Sequence, residues 1–155
     1  MRQSIKILAS KEKKQFLALI NKQWGSDFKP DYAFLLSEKE KMYVIHPDVS
    51  KVDLSLFRIN SVGMYFAEHK RGELRLSIEG SQIIGPLATK NVLELSDEEA
   101  IEWLRGKDFE KKGDWSGFVI MKHNNDFLGT GKYTVDGRIL NFVPKSRRLI
   151  AGELP

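Results

Sequence analysis

The chain has 155 residues, 41% hydrophobic and 30% charged, the composition of one globular protein or of two small packed domains. It contains no cysteine, which excludes a disulfide framework, a cysteine nucleophile and a thiolate metal site. Its 25 basic side chains outnumber 21 acidic ones, and a net charge of +4 fits an anionic partner.

Lys6 interrupts the first apolar stretch, so no signal-peptide core is expected. No run approaches the roughly 18 apolar residues of a membrane span. The expectation is a cytoplasmic protein with no membrane partner. The charge is uneven: residues 91–114 hold 8 acidic and 4 basic side chains, so the rest of the chain is net +8. That asymmetry predicts a basic face and an acidic element turned elsewhere.

Residues 10–24 read as an amphipathic helix. Ser10 is placed as its N-cap, Phe16, Leu17, Ile20 and Trp24 form its apolar stripe, and Gly25 ends it. Residues 32–36 and 42–45 read as a hairpin around the polar turn 37–41. His46-Pro47-Asp48 breaks the second strand, and residues 47–55 read as a linker with a domain boundary near Asp53. Phe57 to Glu68 reads as extended, Lys70-Arg71-Gly72 as a turn, and Leu74 to Ile84 as a short helix stopped by Gly85-Pro86.

Ser96-Asp97-Glu98-Glu99 is a capping box, with Leu95 and Ala100 at the staple positions. Ile101 and Leu104 are its expected apolar face, and Gly106 its stop. The acids Asp97, Glu98, Glu99 and Glu102 favour the positive end of that helix, so they read as stabilising and not as catalytic. Strands are expected at 117–121 and 127–135. Asp136-Gly137 is a two-residue hairpin signal, 138–143 returns, and Pro144 stops the strand. Short strands with glycines predict a small barrel closed around helices.

Gly129-Thr130-Gly131-Lys132 is not a phosphate loop. Asp126 stands where the first glycine is needed, Tyr133 where Ser or Thr is needed, and a strand is predicted where a helix should follow. The glycines instead permit close backbone approach in a curved strand. His46, His69 and His123 lack metal-ligand spacing, and no nucleophile elbow or dinucleotide fingerprint is present. No catalytic residue, metal or cofactor is expected.

The basic clusters carry the chemistry. Lys70, Arg71 and Arg75 surround a glycine turn; Lys132 precedes the hairpin; Lys145, Arg147 and Arg148 follow it. Lysine and arginine contact phosphates, and arginine also stacks on bases. Asn141 is a candidate for a base edge or a sugar. Tyr133 and Phe142 are either stacking platforms or core, and the core reading is favoured.

The stretches Glu102-Trp103-Leu104-Arg105-Gly106, Gly117-Phe118-Val119, Phe127-Leu128-Gly129-Thr130-Gly131-Lys132 and Ile139-Leu140-Asn141-Phe142-Val143-Pro144-Lys145 resemble the PUA-like RNA-binding domain of RsmF-type (Sun/Fmu family) RNA cytosine-5 methyltransferases. Val62-Gly63-Met64-Tyr65-Phe66-Ala67 and Lys70-Arg71 resemble the start of that domain, so the resemblance spans about residues 58–149. Leu140 and Thr130 depart from its pattern. Enzymes of that family need a cysteine nucleophile and an S-adenosylmethionine-binding domain. The resemblance therefore implies a stand-alone, non-catalytic domain. In layout, residues 1–54 are weakly similar to Nip-type ribosome-biogenesis factors of archaea and eukaryotes.

The expected fold is α+β: a small α/β domain at 1–54, then a PUA-like β-barrel with flanking helices at 55–155. The expected function is binding of structured RNA in rRNA or tRNA maturation or ribosome biogenesis, beside a separate RNA methyltransferase or ribosome-assembly factor. The alternatives are a protein-interaction adaptor in a ribosome-assembly complex and, behind it, a hydrolytic enzyme using His69 or His123.

Overall fold

The computed structural model describes residues 5–45 and 63–150. The fold is α+β, with two five-stranded sheets. Strand β1 (Ile5–Ile7) leads into helix α1 (Ser10–Trp24). Phe16, Ile20 and Trp24 recur at four-residue spacing and are buried, the stripe that the sequence predicts, with Leu17 packed beside them. The cap differs from expectation. Ala9 holds the N-cap position; its methyl cannot accept a hydrogen bond, and the cap consists of the Glu12 carboxylate accepting from the Ala9 amide at 3.4 Å. Gly25 ends the helix at φ 62°, its N–H donating to the Asn21 carbonyl at 2.7 Å.

Strands β2 (Ala33–Ser37) and β3 (Lys41–Ile45) form the expected hairpin. Strands β4 (Met64–Lys70) and β5 (Glu73–Leu76) follow, joined at Arg71 and Gly72, both at positive φ as a type I′ turn requires. The first sheet runs β1-β2-β3-β4-β5, antiparallel throughout. The boundary expected near Asp53 and the linker around it lie outside the described residues. Strands from both flanks pair in one sheet, with Lys41 opposite Glu68.

The helix expected over 74–84 is corrected. Leu74 and Leu76 are buried while Glu73 and Arg75 are half-exposed, a period of two, so this stretch is strand β5. Ser77 then caps α2 (Ile78–Ile84), its hydroxyl accepting from the Gly80 amide at 2.9 Å. A 3-10 turn at Gly85–Leu87 closes that helix.

The second sheet contains β6 (Val92–Glu94), β7 (Phe109–Glu110), β8 (Gly117–His123), β9 (Asp126–Tyr133) and β10 (Arg138–Leu140), in the order β6-β8-β9-β10-β7. Only the β6–β8 pairing is parallel. Strands β9 and β10 stop earlier than the sequence predicts, at Tyr133 and Leu140.

Helix α3 (Asp97–Leu104) carries the capping box: the Glu99 amide donates to Ser96 Oγ at 3.1 Å, and the Ser96 amide to Glu99 Oε1 at 3.0 Å. Its buried positions are Ala100 and Trp103, while Ile101 and Leu104 are half-buried. Trp103 wins because its large ring sits on β9, where its indole N–H donates to the Leu128 carbonyl at 2.8 Å.

Two large clusters make most of the core, and Leu35 and Ile45 of the first sheet form a small third one. One joins α1 to the first sheet around Trp24, Phe34 and Phe66; the other joins α3 to the second sheet around Trp103, Val119 and Ile139. Ile120 and Phe127 of the second sheet enter the first cluster. The Trp24 indole ties the two by donating to the Phe118 carbonyl at 3.1 Å. Fully burying each tryptophan removes on the order of 150–250 Å² from water, about 4–6 kcal/mol gross. Among the described residues, no helix is long and apolar enough to cross a membrane.

The glycines of β9 do what the sequence requires of them. Gly129 has φ 88°, and its amide donates to the buried Ser81 hydroxyl of α2 at 2.8 Å. A Cβ on Gly131 would stand 2.6 Å from Ile139 Cγ2 and 2.8 Å from Trp103 Cη2. Thr130 between them donates to the Leu76 carbonyl at 3.1 Å, which seats β9 against the end of β5.

Candidate nucleic-acid interface

The period of two in β5 turns Leu74 and Leu76 into the core and Arg75 outward. Opposite Arg75 on β4 stands Glu68, which is buried and forms an ion pair with Arg75. Lys70 Nζ reaches the other Glu68 oxygen at 2.8 Å. Burial pushes the Glu68 carboxyl up, but Lys70 and Arg75 outweigh it and hold the group below its ordinary value of 4.5. Fixed this way, the Arg75 guanidinium lies over the Phe142 ring, 4.5 Å from its centroid.

Phe142 is 37% exposed and continues the row, its ring 5.9 Å from Phe118. Lys132, cross-strand from Phe118, places its ammonium 4.8 Å from the Phe118 ring and 2.6 Å from Glu73 Oε2. Cation, ring, ring and cation thus run in sequence from Arg75 to Lys132. Tyr133, by contrast, packs on Trp115 at 5.8 Å against the second core. Of the two aromatics the sequence leaves open, Phe142 is the surface one.

Beside this row opens a cleft of about 530 Å³. Arg75, Tyr65 and Lys41 line one side; the segment from Asn141 to Arg148 lines the other. Lys41 Nζ sits 5.6 Å from the Tyr65 ring, and Tyr65 is 5.7 Å from Tyr43. Burial raises the Tyr65 hydroxyl above its ordinary pKa, against the opposing pull of Arg75.

Asn141 shapes the far wall. Its side-chain amide donates to the carbonyls of Trp103 at 2.7 Å and Lys107 at 3.0 Å, and its oxygen accepts from the Val143 amide at 2.8 Å. Its own backbone N–H donates to Asp108 at 2.7 Å. These partners make it a brace, with little hydrogen-bonding capacity left for a base edge. Val143 is then buried, and a 3-10 turn at Lys145–Arg147 presents the basic segment. Arg147 forms an ion pair with Glu79 of α2. The Arg148 Nε donates to the Val143 carbonyl at 3.0 Å, and its side chain lies over Gly106, where any Cβ would collide with it. Lys145 and Lys41 make no ion pair among the described residues.

The cleft therefore gathers Arg75, Asn141, Lys145, Arg147 and Arg148 from the sequence-predicted set. Lys70 joins it through Glu68, and Lys132 through the Phe118–Phe142 row. Arg71 sits exposed in the β4–β5 turn, and no contact among the described residues connects it to the cleft. Sequence reasoning missed Lys41, Tyr65 and Phe118. Pairing of β3 with β4 brings Lys41 to Tyr65 across a long connection, and no local pattern encodes that pairing.

The acids of α3 are engaged in contacts of their own. Glu99 accepts from the Ser96 amide, which with Lys111 lowers its pKa against a raising effect of burial. Glu102 pairs with Lys107 at 2.7 Å and Arg105 at 3.1 Å, and Asp97 with His123 at 2.7 Å. His69 lines a separate groove beside α1 with Phe16 and Leu19; His46 lies outside the described residues. Among the described residues, no group of three His, Cys, Asp or Glu is placed to hold a metal ion.

The chain is similar to known proteins over part of its length. Over 109 residues the chain is 29% identical to the ribosomal RNA small subunit methyltransferase F of Vibrio atlanticus, covering 69% of this chain and 23% of that protein. The protein of the same description from Vibrio parahaemolyticus is 28% identical over 115 residues, with 69% and 23% covered. That of Aeromonas salmonicida is 30% identical over 89 residues, with 57% and 18% covered. The chain thus spans about a quarter of the length of these curated relatives. They are bacterial, which departs from the archaeal character expected from the N-terminal layout. Residues 90–149 match the family model of the methyltransferase RsmF PUA domain, so the sequence resemblance holds over the second sheet and α3, and the α+β fold includes a PUA-like domain.

Proposed function

We propose that this protein binds structured RNA through the cleft between β5 and the segment 141–148. The observation that carries the reading is the charge around that cleft. Lys41, Lys70, Arg75, Lys132, Lys145, Arg147 and Arg148 supply seven cations, against the three carboxylates Glu68, Glu73 and Glu79. A local excess of that size, beside the exposed Phe142 ring, matches the needs of a phosphate backbone with unstacked bases. Similarity to ribosomal RNA methyltransferases supports rRNA as the partner.

The role is positioning and not methyl transfer. This sequence has no cysteine thiol to attack a base. The cations neutralise phosphates, and the walls of the cleft fix the orientation of the strand. Such a protein works in rRNA maturation in the cytoplasm, beside a methyltransferase or assembly factor that supplies chemistry. The experiment is ultraviolet crosslinking in cells, followed by sequencing of the attached RNA. The reading expects small-subunit rRNA fragments to be enriched over the Arg75→Ala/Lys145→Ala variant. Equal recovery from both proteins would overturn it.

A further inference from the structure

We infer that the Phe142–Arg75 pair is a stacking platform for one unpaired nucleobase, so that the RNA recognised carries a bulged or flipped nucleotide beside a backbone-bound segment. The inference rests on the RNA-binding reading and adds the class of RNA.

Three observations lead to it. Phe142 is a large apolar side chain left 37% exposed at a cleft wall, although the neighbouring Tyr133 packs against the core. Its ring is held from behind by Phe118 at 5.9 Å. A guanidinium lies over it, 4.5 Å from the centroid, and that guanidinium is itself held by the buried Glu68. A planar cation fixed over a ring costs little further ordering when a third planar group joins the stack. A nucleobase is planar and electron-rich, and every base presents such a face.

The surroundings limit what can use the platform. Lys145 and Arg148 line the same cleft and supply cations for the phosphates flanking the stacked base. Asn141, which might have read that base by its edge, is spent on the backbone. Recognition is therefore of an unpaired base, with weak preference for its identity. A continuous duplex keeps its bases stacked on one another and cannot offer one.

The test compares two RNAs: a blunt duplex, and the same duplex with one bulged 5-iodouridine. The wild-type protein is expected to bind the bulged duplex about tenfold more tightly. Irradiation is expected to attach the iodouridine to the peptide containing Phe142. Phe142→Leu should abolish both the preference and the crosslink. Phe142→Tyr should restore both, which separates stacking from folding. Arg75→Lys keeps the charge but not the plane, and should lose most of the preference. If Phe142→Leu keeps the preference and the crosslink, or the wild type binds the two RNAs equally, the platform is refuted while the cleft stands. If the folded wild type binds neither, the RNA-binding reading itself falls.

Discussion

Asn141 donates from its side-chain amide to the Trp103 carbonyl at 2.7 Å, joining the wall of the cleft to the last turn of α3. The same side chain holds Lys107 and Val143. Asn141→Ala leaves two carbonyls and one amide without these partners, at an expected cost of about 2–3 kcal/mol. Urea unfolding measures this. A loss below about 0.5 kcal/mol would show that the brace contributes nothing.

Gly131 is a packing position. Gly131→Ala forces a methyl against Ile139, Trp103 and the Leu140 carbonyl, the last at 3.0 Å. Overpacking of this kind costs about 1–3 kcal/mol, so the melting temperature should fall. Gly72→Ala is the contrast: no atom lies within 4 Å of its Cβ position, but φ is 78°, so any loss there comes from the backbone alone.

Glu68 sets the acid limb of the stability curve. Its folded carboxyl titrates below the ordinary value of 4.5. Its contribution is therefore fully present above that value and is lost as pH falls through the lower folded value. Glu68→Gln should flatten the decline in melting temperature between about pH 5 and pH 3. It should also release Arg75 from its place over Phe142. An unchanged acid limb would show that the ion pairs with Lys70 and Arg75 do not stabilise the fold.

Ser96 tests the acidic helix. Ser96→Ala removes the acceptor for the Glu99 amide and should cost about 1 kcal/mol, with RNA affinity unchanged. A loss of RNA affinity in a folded variant would mean that α3 contributes to the interface.

The features legible in the sequence are those with a local cause. The α1 stripe and the Ser96–Glu99 capping box each depend on residues within one or two turns of chain. The turn before β10 is also local, but it is not the two-residue turn that Asp136-Gly137 predicts: only Gly137 has positive φ, and the Thr134 amide donates to the Arg138 carbonyl across three residues. The close approach at Gly129 and Gly131 was legible because only glycine tolerates it. Residues 74–84 were misread because Leu74, Leu76, Ile78 and Ile84 fit two periods, and Ser77 divides them into strand and helix. The basic clusters were visible, but their grouping was not. Arg75 and Lys145 line one cleft, and β9 seats against β5 through Thr130 and Leu76, a long-range contact that no spacing records. Asn141 looked like a reader of bases because its residue type permits that, whereas its partners are backbone groups far away in sequence.

The most direct measurement of the central claim is the salt dependence of binding to a small-subunit rRNA fragment, for the wild type and for Lys145→Ala. The account predicts that log K falls linearly with log salt, and that the variant's slope is shallower by about 0.7–0.9, one phosphate contact. Affinity that does not change with salt, or a variant with the wild-type slope, would contradict the assignment of this cleft to RNA.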